Sequence, residues 1–327
     1  MSRIRLQGES VVSPDDAARW SFHEPVLARE VVDLLLRGGE GLFLDGTVGG
    51  GGHARALLDR CPGCRLVGVD RDADAVARAE EVLSEHGDRV RLLRCRFDDA
   101  LERAGIGEGE LAGALLDLGV SSHQIDRAGR GFTFAPDAPL DMRMGGGDED
   151  RPSAADLLNE ADEGRLVRIF RDWGEEPRAR RLAREVLRRR ERRPFRSSDD
   201  LVGALDATLG RASSKREKAR IFQAVRIAVN EELEALERAL PALRDALRPG
   251  GVLTVLAYHS LEDRIVKNAF RDWSRSCVCP PRIPVCRCRG EPLGRTLTPG
   301  PIRPDDEEAA RNPRSRSARL RGWRKAS

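Results

Sequence analysis

From residue 41 onward, apolar and polar positions fall into short, alternating runs. Residues 41–45 (Gly-Leu-Phe-Leu-Asp) read as a buried strand ending on an acid, followed by a glycine loop and a helix through His53 and Leu58. Residues 65–70 predict a second strand and 73–85 a helix, and residues 90–94 and 112–118 predict two more strands. Short buried strands alternating with helices predict a parallel sheet with right-handed crossovers. The first half is expected to be α/β.

The alternation then stops. Residues 126–152 carry Gly129, Gly131, Pro136, Pro139 and a Gly145-Gly146-Gly147 run with little periodicity, and loops this long are commonly functional or disordered. Ser153 with Asp156 reads as a capping box before Leu157, Leu158 and Leu166. Further helices are expected over 178–192 and 198–209. The stretch 126–219 thus reads as an all-helical domain inserted into an α/β unit made of 21–125 and 220–327. One long helix from 218 into 233–247 leads back to the sheet. Pro249-Gly250-Gly251 ends it, and residues 252–258 give another strand. Residues 1–20 read as a flexible leader, and the chain from about 300 as a basic tail.

Composition narrows the setting. With 327 residues, 40% hydrophobic and 34% charged, the chain can bury a core beneath a charged surface. No apolar run approaches the roughly 20 residues of a membrane span, and the N-terminal residues lack an apolar signal core. Seven clustered cysteines are too few for a disulfide scaffold. A cytoplasmic protein with reduced thiols and no membrane partner is expected. The net charge of +3 neither demands nor excludes nucleic acid, and only four of 57 basic residues are lysines. A GC-rich genome explains that bias, so clustering is the better clue. Arginines gather at 178–193 and 311–325; such a helix is usually a solvated face, whereas a basic tail can touch phosphate.

The first strand runs into Gly46-Thr47-Val48-Gly49-Gly50-Gly51-Gly52-His53. Glycines there let a ligand approach the backbone at the sheet's carboxyl edge. The Gly-Lys-Ser/Thr of a phosphate loop is absent, and the spacing is not G-x-G-x-x-G. Asp45 followed by a glycine cluster fits S-adenosylmethionine, which needs no pyrophosphate cradle; a plain tight turn is the alternative. Asp70, ending the second strand, can accept both ribose hydroxyls or serve the next helix as an N-terminal carboxylate. Phe97 could cover an adenine face or be ordinary core. Asp117-Leu118-Gly119-Val120-Ser121-Ser122 brings a carboxylate and two hydroxyls to the same edge.

Seven ordered blocks resemble the MraW family. They are His23-Glu24-Pro25-Val26-Leu27, Asp45-Gly46-Thr47 with Gly51-Gly52-His53, Leu116-Asp117-Leu118-Gly119-Val120-Ser121-Ser122, Arg130-Gly131-Phe132, Pro139-Leu140-Asp141-Met142-Arg143-Met144, Phe222-Gln223-Ala224-Val225-Arg226-Ile227 and His259-Ser260-Leu261-Glu262-Asp263-Arg264. Asn312-Pro313-Arg314 adds a tail motif. The resemblance implies a Rossmann-like methyltransferase sheet with a helical insertion. It also implies methylation of the exocyclic N4 of a decoding-centre cytidine in 16S ribosomal RNA, within the small ribosomal subunit. Gly51, Gly52, His53, Asp70, Phe97, Asp117 and Gln124 would then contact S-adenosylmethionine. Residues 217–221 (Glu-Lys-Ala-Arg-Ile) depart from the His-Pro-Ala that many relatives carry before this arginine.

The amine of cytosine is a poor nucleophile because its lone pair is delocalised into the ring. Accepting its hydrogen bonds and aligning it with a methyl donor would help. The loop Asp117, Ser121, Ser122 and the pair His259-Ser260 are the candidates to frame it, although His259 equally reads as a structural residue. Asp141 with Arg143 reads as a loop-stabilising ion pair or as ordering a lid on RNA. A cytidine must be unstacked to be reached, and with only 4% aromatics arginines can replace stacking platforms. No catalytic metal is expected, because the five histidines lack ligand spacing. Cys277, Cys279, Cys286 and Cys288 form two C-x-C pairs that could hold one structural zinc or remain a loop of thiols. A DNA amino-methyltransferase and a non-catalytic RNA-binding assembly factor are the competing readings. The missing prolines after Asp117 weigh against the first, and intact Asp45, Asp70 and Asp117 against the second.

Overall fold

The computed structural model describes residues 25–146, 150–279 and 288–327, with the side chains of Ser122 and His123 excepted. The expected leader, His23, Glu24, Gly147 and Cys286 lie outside the described residues.

Seven strands form one sheet among the described residues: β1 Leu42–Asp45, β2 Arg65–Asp70, β3 Val90–Arg94, β4 Leu111–Asp117, β5 Leu247–Ala257, β6 Gly294–Thr296 and β7 Arg319–Lys325. Their order is β3-β2-β1-β4-β5-β7-β6. β1 to β5 run parallel, and β7 runs antiparallel to both β5 and β6. The order reverses between β1 and β4, which makes a Rossmann-like switch point and opens a crevice beyond the strand ends.

Alternate residues of each strand serve opposite faces. Phe43, Leu66 and Leu115 pack with α1 (Ala28–Leu35), α2 (Gly52–Arg60) and α3 (Ala73–Leu83). Their neighbours Leu44, Val67 and Leu116 pack on the other face with α4 (Ala100–Ala104) and later helices. A short helix, α5 (Ser122–Asp126), follows β4.

Six helices come next: α6 Ala154–Glu160, α7 Glu163–Arg168, α8 Ala179–Arg190, α9 Ser198–Leu209, α10 Lys215–Asn230 and α11 Glu232–Ala246. α6 begins with the expected Ser153–Asp156 capping box. A separate apolar cluster, including Leu158, Phe170, Leu182, Leu201 and Val225, knits α6 to α10 together.

Three expectations change. The long helix predicted from 218 is two helices, because Glu231 adopts a left-handed backbone at φ 51°. The terminal segment read as a basic tail contains β7, whose Leu320 and Trp323 are fully buried. Its arginines hid a strand that the alternation Leu320, Gly322, Arg324 opposite Arg321, Trp323, Lys325 shares between two faces. Cys61 and Cys64, expected to be reduced, are joined in a disulfide across the Pro62-Gly63 turn, with Cα atoms 5.3 Å apart. Two helices complete the chain, α12 (Ser260–Trp273) and α13 (Asp306–Arg311). No helix among the described residues is long and apolar enough to cross a membrane.

Candidate active site

A cavity of about 1520 Å³ opens at the switch point. Pockets for small ligands usually measure about 300–1,000 Å³, so this one has room for a cofactor and part of a second molecule.

One half is built on strand ends. Asp45, buried at the end of β1, accepts the Thr47 N–H (3.1 Å). The loop beyond it turns sharply: Gly49 has φ 52°, and Gly51, at φ 83°, caps α2. A side chain at Gly51 would be strained there and would press on Leu83 and Ala79. Gly46, Gly49, Gly50, Gly52 and His53 line the cavity; Gly51 shapes the turn instead. Asp70 ends β2 and accepts the N–H groups of Gly49 (3.0 Å) and Asp72 (2.9 Å). Phe97 stands in the wall after β3.

Asp117 ends β4 beside them. Its N–H donates to Thr47 Oγ1 (2.6 Å), and its Oδ1 accepts the Tyr258 hydroxyl (2.9 Å). Its Oδ2 lies 3.6 Å from His53 Nδ1. His53 Nε2 is 2.9 Å from the Val26 carbonyl oxygen. A carbonyl only accepts, so Nε2 carries a proton, and Nδ1 is the ring atom that faces Asp117.

Burial pushes all three carboxyls upward. Asp45 rises to about 7, opposed by His53 and the Thr47 amide. Asp70 is raised by burial against the Asp72 and Gly49 amides, and Asp117 by burial against His53 and the Tyr258 hydroxyl. Burial, with Asp117 beside it, also lifts the Tyr258 phenol well above its ordinary value, which keeps it a donor.

The other half comes from the helices. Gln223, Arg226 and Asn230 of α10, Glu232 of α11, and His259 and Glu262 at the start of α12 complete the lining. Arg226 grips both oxygens of Glu232 (2.9 and 3.0 Å). Glu262 accepts the Tyr258 and His259 N–H groups. Burial raises its carboxyl, but His259 and Arg226 outweigh that and leave it below the ordinary glutamate value. Glu232, His259 and Glu262 bring ligand atoms within 4.8 Å of one another, a cluster that already carries the Arg226 cation. Asn230 donates to the Met142 carbonyl (2.7 Å) and accepts the Met144 N–H (2.9 Å). Gln124 donates to Asp72 and to the Met144 carbonyl, both at 3.0 Å. The loop 139–146 is thereby pinned beside the cavity, and within it Arg143 pairs with Asp141 at 2.6 Å.

The structure therefore gathers Gly52, His53, Asp70, Phe97, Asp117, Ser121, Gln124 and His259 around one space, while the predicted Asp45 and Gly51 do not line it and stand just behind its wall. Ser121 accepts the Gln124 N–H (3.2 Å). Ser260 is exposed and does not line the cavity, and the Ser122 side chain is outside the description. His259 caps α12, its Nδ1 accepting the Glu262 N–H at 3.4 Å, which answers its structural reading without removing it from the wall. Cys277, Cys279 and Cys288 stand apart from the cavity. Sequence reasoning missed Tyr258, Asp72 and Asn230 as site builders. Asn230 had a signal, a polar residue on the apolar face of an amphipathic helix.

The MraW methylase family model matches residues 20–326. A protein of Gemmatimonas aurantiaca named ribosomal RNA small subunit methyltransferase H is 56% identical over 309 residues, covering 94% of this chain and 96% of its own. One of the same name from Heliobacterium modesticaldum is 47% identical over 310 residues, covering 93% and 98%. S-adenosylmethionine, which carries a sulfonium and an ammonium group, suits the buried acids and glycine loop of the strand-end half, where Asp70, Phe97, the loop and Asp117 are the residues that could hold it. With the family model spanning almost the whole chain and this cavity at its switch point, the chain belongs to the MraW methylase family.

Proposed function

We propose that this chain methylates the exocyclic N4 of a cytidine in 16S ribosomal RNA, near the decoding centre of the small ribosomal subunit, in the cytoplasm. The observation that carries the reading is Asp117, fixed by Tyr258 on one oxygen and facing His53 with the other, between the cofactor half and the open half of the cavity. S-adenosylmethionine, when bound, supplies an electrophilic methyl. The names of the relatives support ribosomal RNA of the small subunit as substrate.

In this reading, Asp117 accepts a hydrogen bond from the target amine and holds its lone pair toward the methyl group. After transfer, the surplus proton passes to the Asp117 carboxylate, whose burial raises its proton affinity. Tyr258 keeps the carboxylate from rotating away. Asp45, Gly51, Gly52, His53, Asp70, Phe97, Asp117 and Gln124 form the cofactor site; Ser121, Ser122, His259 and Ser260 frame the substrate side. Residues 126–219 form the inserted helical domain, and 21–125 with 220–327 the methyltransferase unit.

Nucleoside mass spectrometry tests this. Small subunits from cells lacking the enzyme, and their naked RNA, are incubated with the protein and S-adenosylmethionine. New N4-methylcytidine on the subunit or its RNA is the expected result. Cofactor binding without transfer would instead support an assembly factor, and transfer to duplex DNA an amino-methyltransferase for DNA.

A further inference from the structure

The chain between α12 and β6, residues 274–293, carries no helix or strand among its described residues. Its base is firmly seated. Trp273 stacks edge-on against the buried Trp323 with ring centroids 5.2 Å apart. The Leu293 N–H donates to the Trp273 carbonyl (2.8 Å), and the Trp323 indole donates to Ser274 Oγ (3.2 Å). Higher up, Arg289 clasps the two arms together. It donates to the carbonyls of Asp272 and Arg275 (2.9 Å) on one arm and of Glu291 (2.9 Å) on its own.

Above the clasp, the Sγ atoms of Cys277, Cys279 and Cys288 all lie within 4.8 Å of one another. Two thiols come from the outgoing arm and one from the returning arm. The Val278 N–H points at Cys288 Sγ (3.4 Å), the kind of outer hydrogen bond that steadies a metal-bound sulfur. A Zn–S bond of about 2.3 Å places the sulfurs of a tetrahedral site about 3.8 Å apart, so small side-chain rotations suffice. Thiolate-only ligand sets select zinc or iron–sulfur chemistry over hard cations.

We propose that Cys277, Cys279 and Cys288 hold a structural zinc ion that locks the arms 274–279 and 288–293 together above the Trp273–Trp323 base. Each thiol gives up its proton and donates a sulfur lone pair, with no change of oxidation state. Binding the ion cross-links the two arms, so its binding free energy becomes folding free energy for them. Cys286 belongs to the same sequence pattern but lies outside the described residues and is not counted in the site. The site does not depend on the methylation reading, because its ligands lie away from the cavity and its readout is bound metal.

The test measures metal, not activity. Full-length protein purified under reducing conditions is expected to carry about one zinc per chain by elemental mass spectrometry. Cobalt exchange should give thiolate charge-transfer absorption. Cys277→Ser and Cys288→Ser should lose at least nine-tenths of the metal, whereas Cys95→Ser, in a different part of the fold, should retain it. Should the serine variants fail to fold, chelation of the unaltered protein replaces them. Metal loss should then speed protease cleavage within 274–293 by tenfold or more while the circular dichroism melt of the sheet persists. Folded protein that takes up no zinc, with all three thiols titrating freely, overturns the site. So does an iron–sulfur spectrum, or a disulfide among these cysteines with no metal uptake after reduction.

Discussion

Acidic residues behave oppositely in the two halves of this molecule. At the strand ends, burial outweighs the compensating contacts and raises Asp45, Asp70 and Asp117. In the helical region, Asp172, Glu185 and Glu217 are lowered by arginines that grip them, Glu217 to about 2. The helical region neutralises its charge locally with Arg171, Arg188, Arg189 and Arg211. The sheet edge buries its acids with less compensation, at a cost in stability that a cationic ligand would relieve.

The comparison is broken or sharpened by four measurements, the largest effect first. Asp117→Asn keeps the size of the side chain but removes its charge. Methyl transfer should fall by about 100-fold or more, the usual reach of a general acid–base group, while the melting temperature is held or raised. Asp70→Asn should weaken S-adenosylmethionine binding by roughly 10- to 100-fold by calorimetry, the worth of one or two charge-assisted hydrogen bonds. Unchanged affinity would remove Asp70 from the cofactor site.

The third measurement follows pH. Asp45 is protonated in the folded, ligand-free protein below about 7 but ionises near its ordinary value when unfolded. Between those values the unfolded chain binds fewer protons, so stability present at pH 4 is lost as pH rises toward and through 7. Asp45→Asn should therefore stabilise the ligand-free protein at pH 8, by a few kcal/mol at most on the order given by this shift, and leave it unaffected at pH 4. Cofactor affinity of the unaltered protein should tighten from pH 5 to 8 and flatten in this variant. The smallest effect belongs to the helical region. Glu217 is partly exposed, and Glu217→Gln, which keeps an oxygen for the Ser214 N–H, should shift the melting temperature only slightly, because solvent screens such pairs. A large loss there would erase the contrast between the halves.

Much of the sheet edge was legible beforehand because each of its acids closes a run of apolar residues. Asp45, Asp70 and Asp117 end β1, β2 and β4; periodicity places the strand and the acid marks its end. The start of α6 was equally plain, carried by the Ser153–Asp156 capping box; α9, expected over 198–209, begins with a Ser197–Asp200 capping box. The break between α10 and α11 was not, because Glu231 has good helix propensity and only its surroundings hold it at φ 51°. Arg96 takes the Asn230 carbonyl at 3.1 Å and Arg151 takes the Glu231 carboxylate at 2.9 Å, contacts separated by many residues in sequence. β7 escaped because five of its seven residues are arginine, glycine or lysine. Its burial depends on Arg321 finding Asp263 at 2.6 Å.

The sequence by itself determined the α/β alternation, the glycine turn, the acids at the strand ends and the family. These are local matters of hydrophobic period and backbone freedom. Tertiary structure alone decided that Tyr258 and His53 meet Asp117, that Asn230 pins a loop more than 80 residues away, and that a basic terminus becomes an interior strand. Each depends on pairing partners far apart in the chain, and such pairing is fixed by packing and charge compensation in three dimensions rather than by any pattern along one.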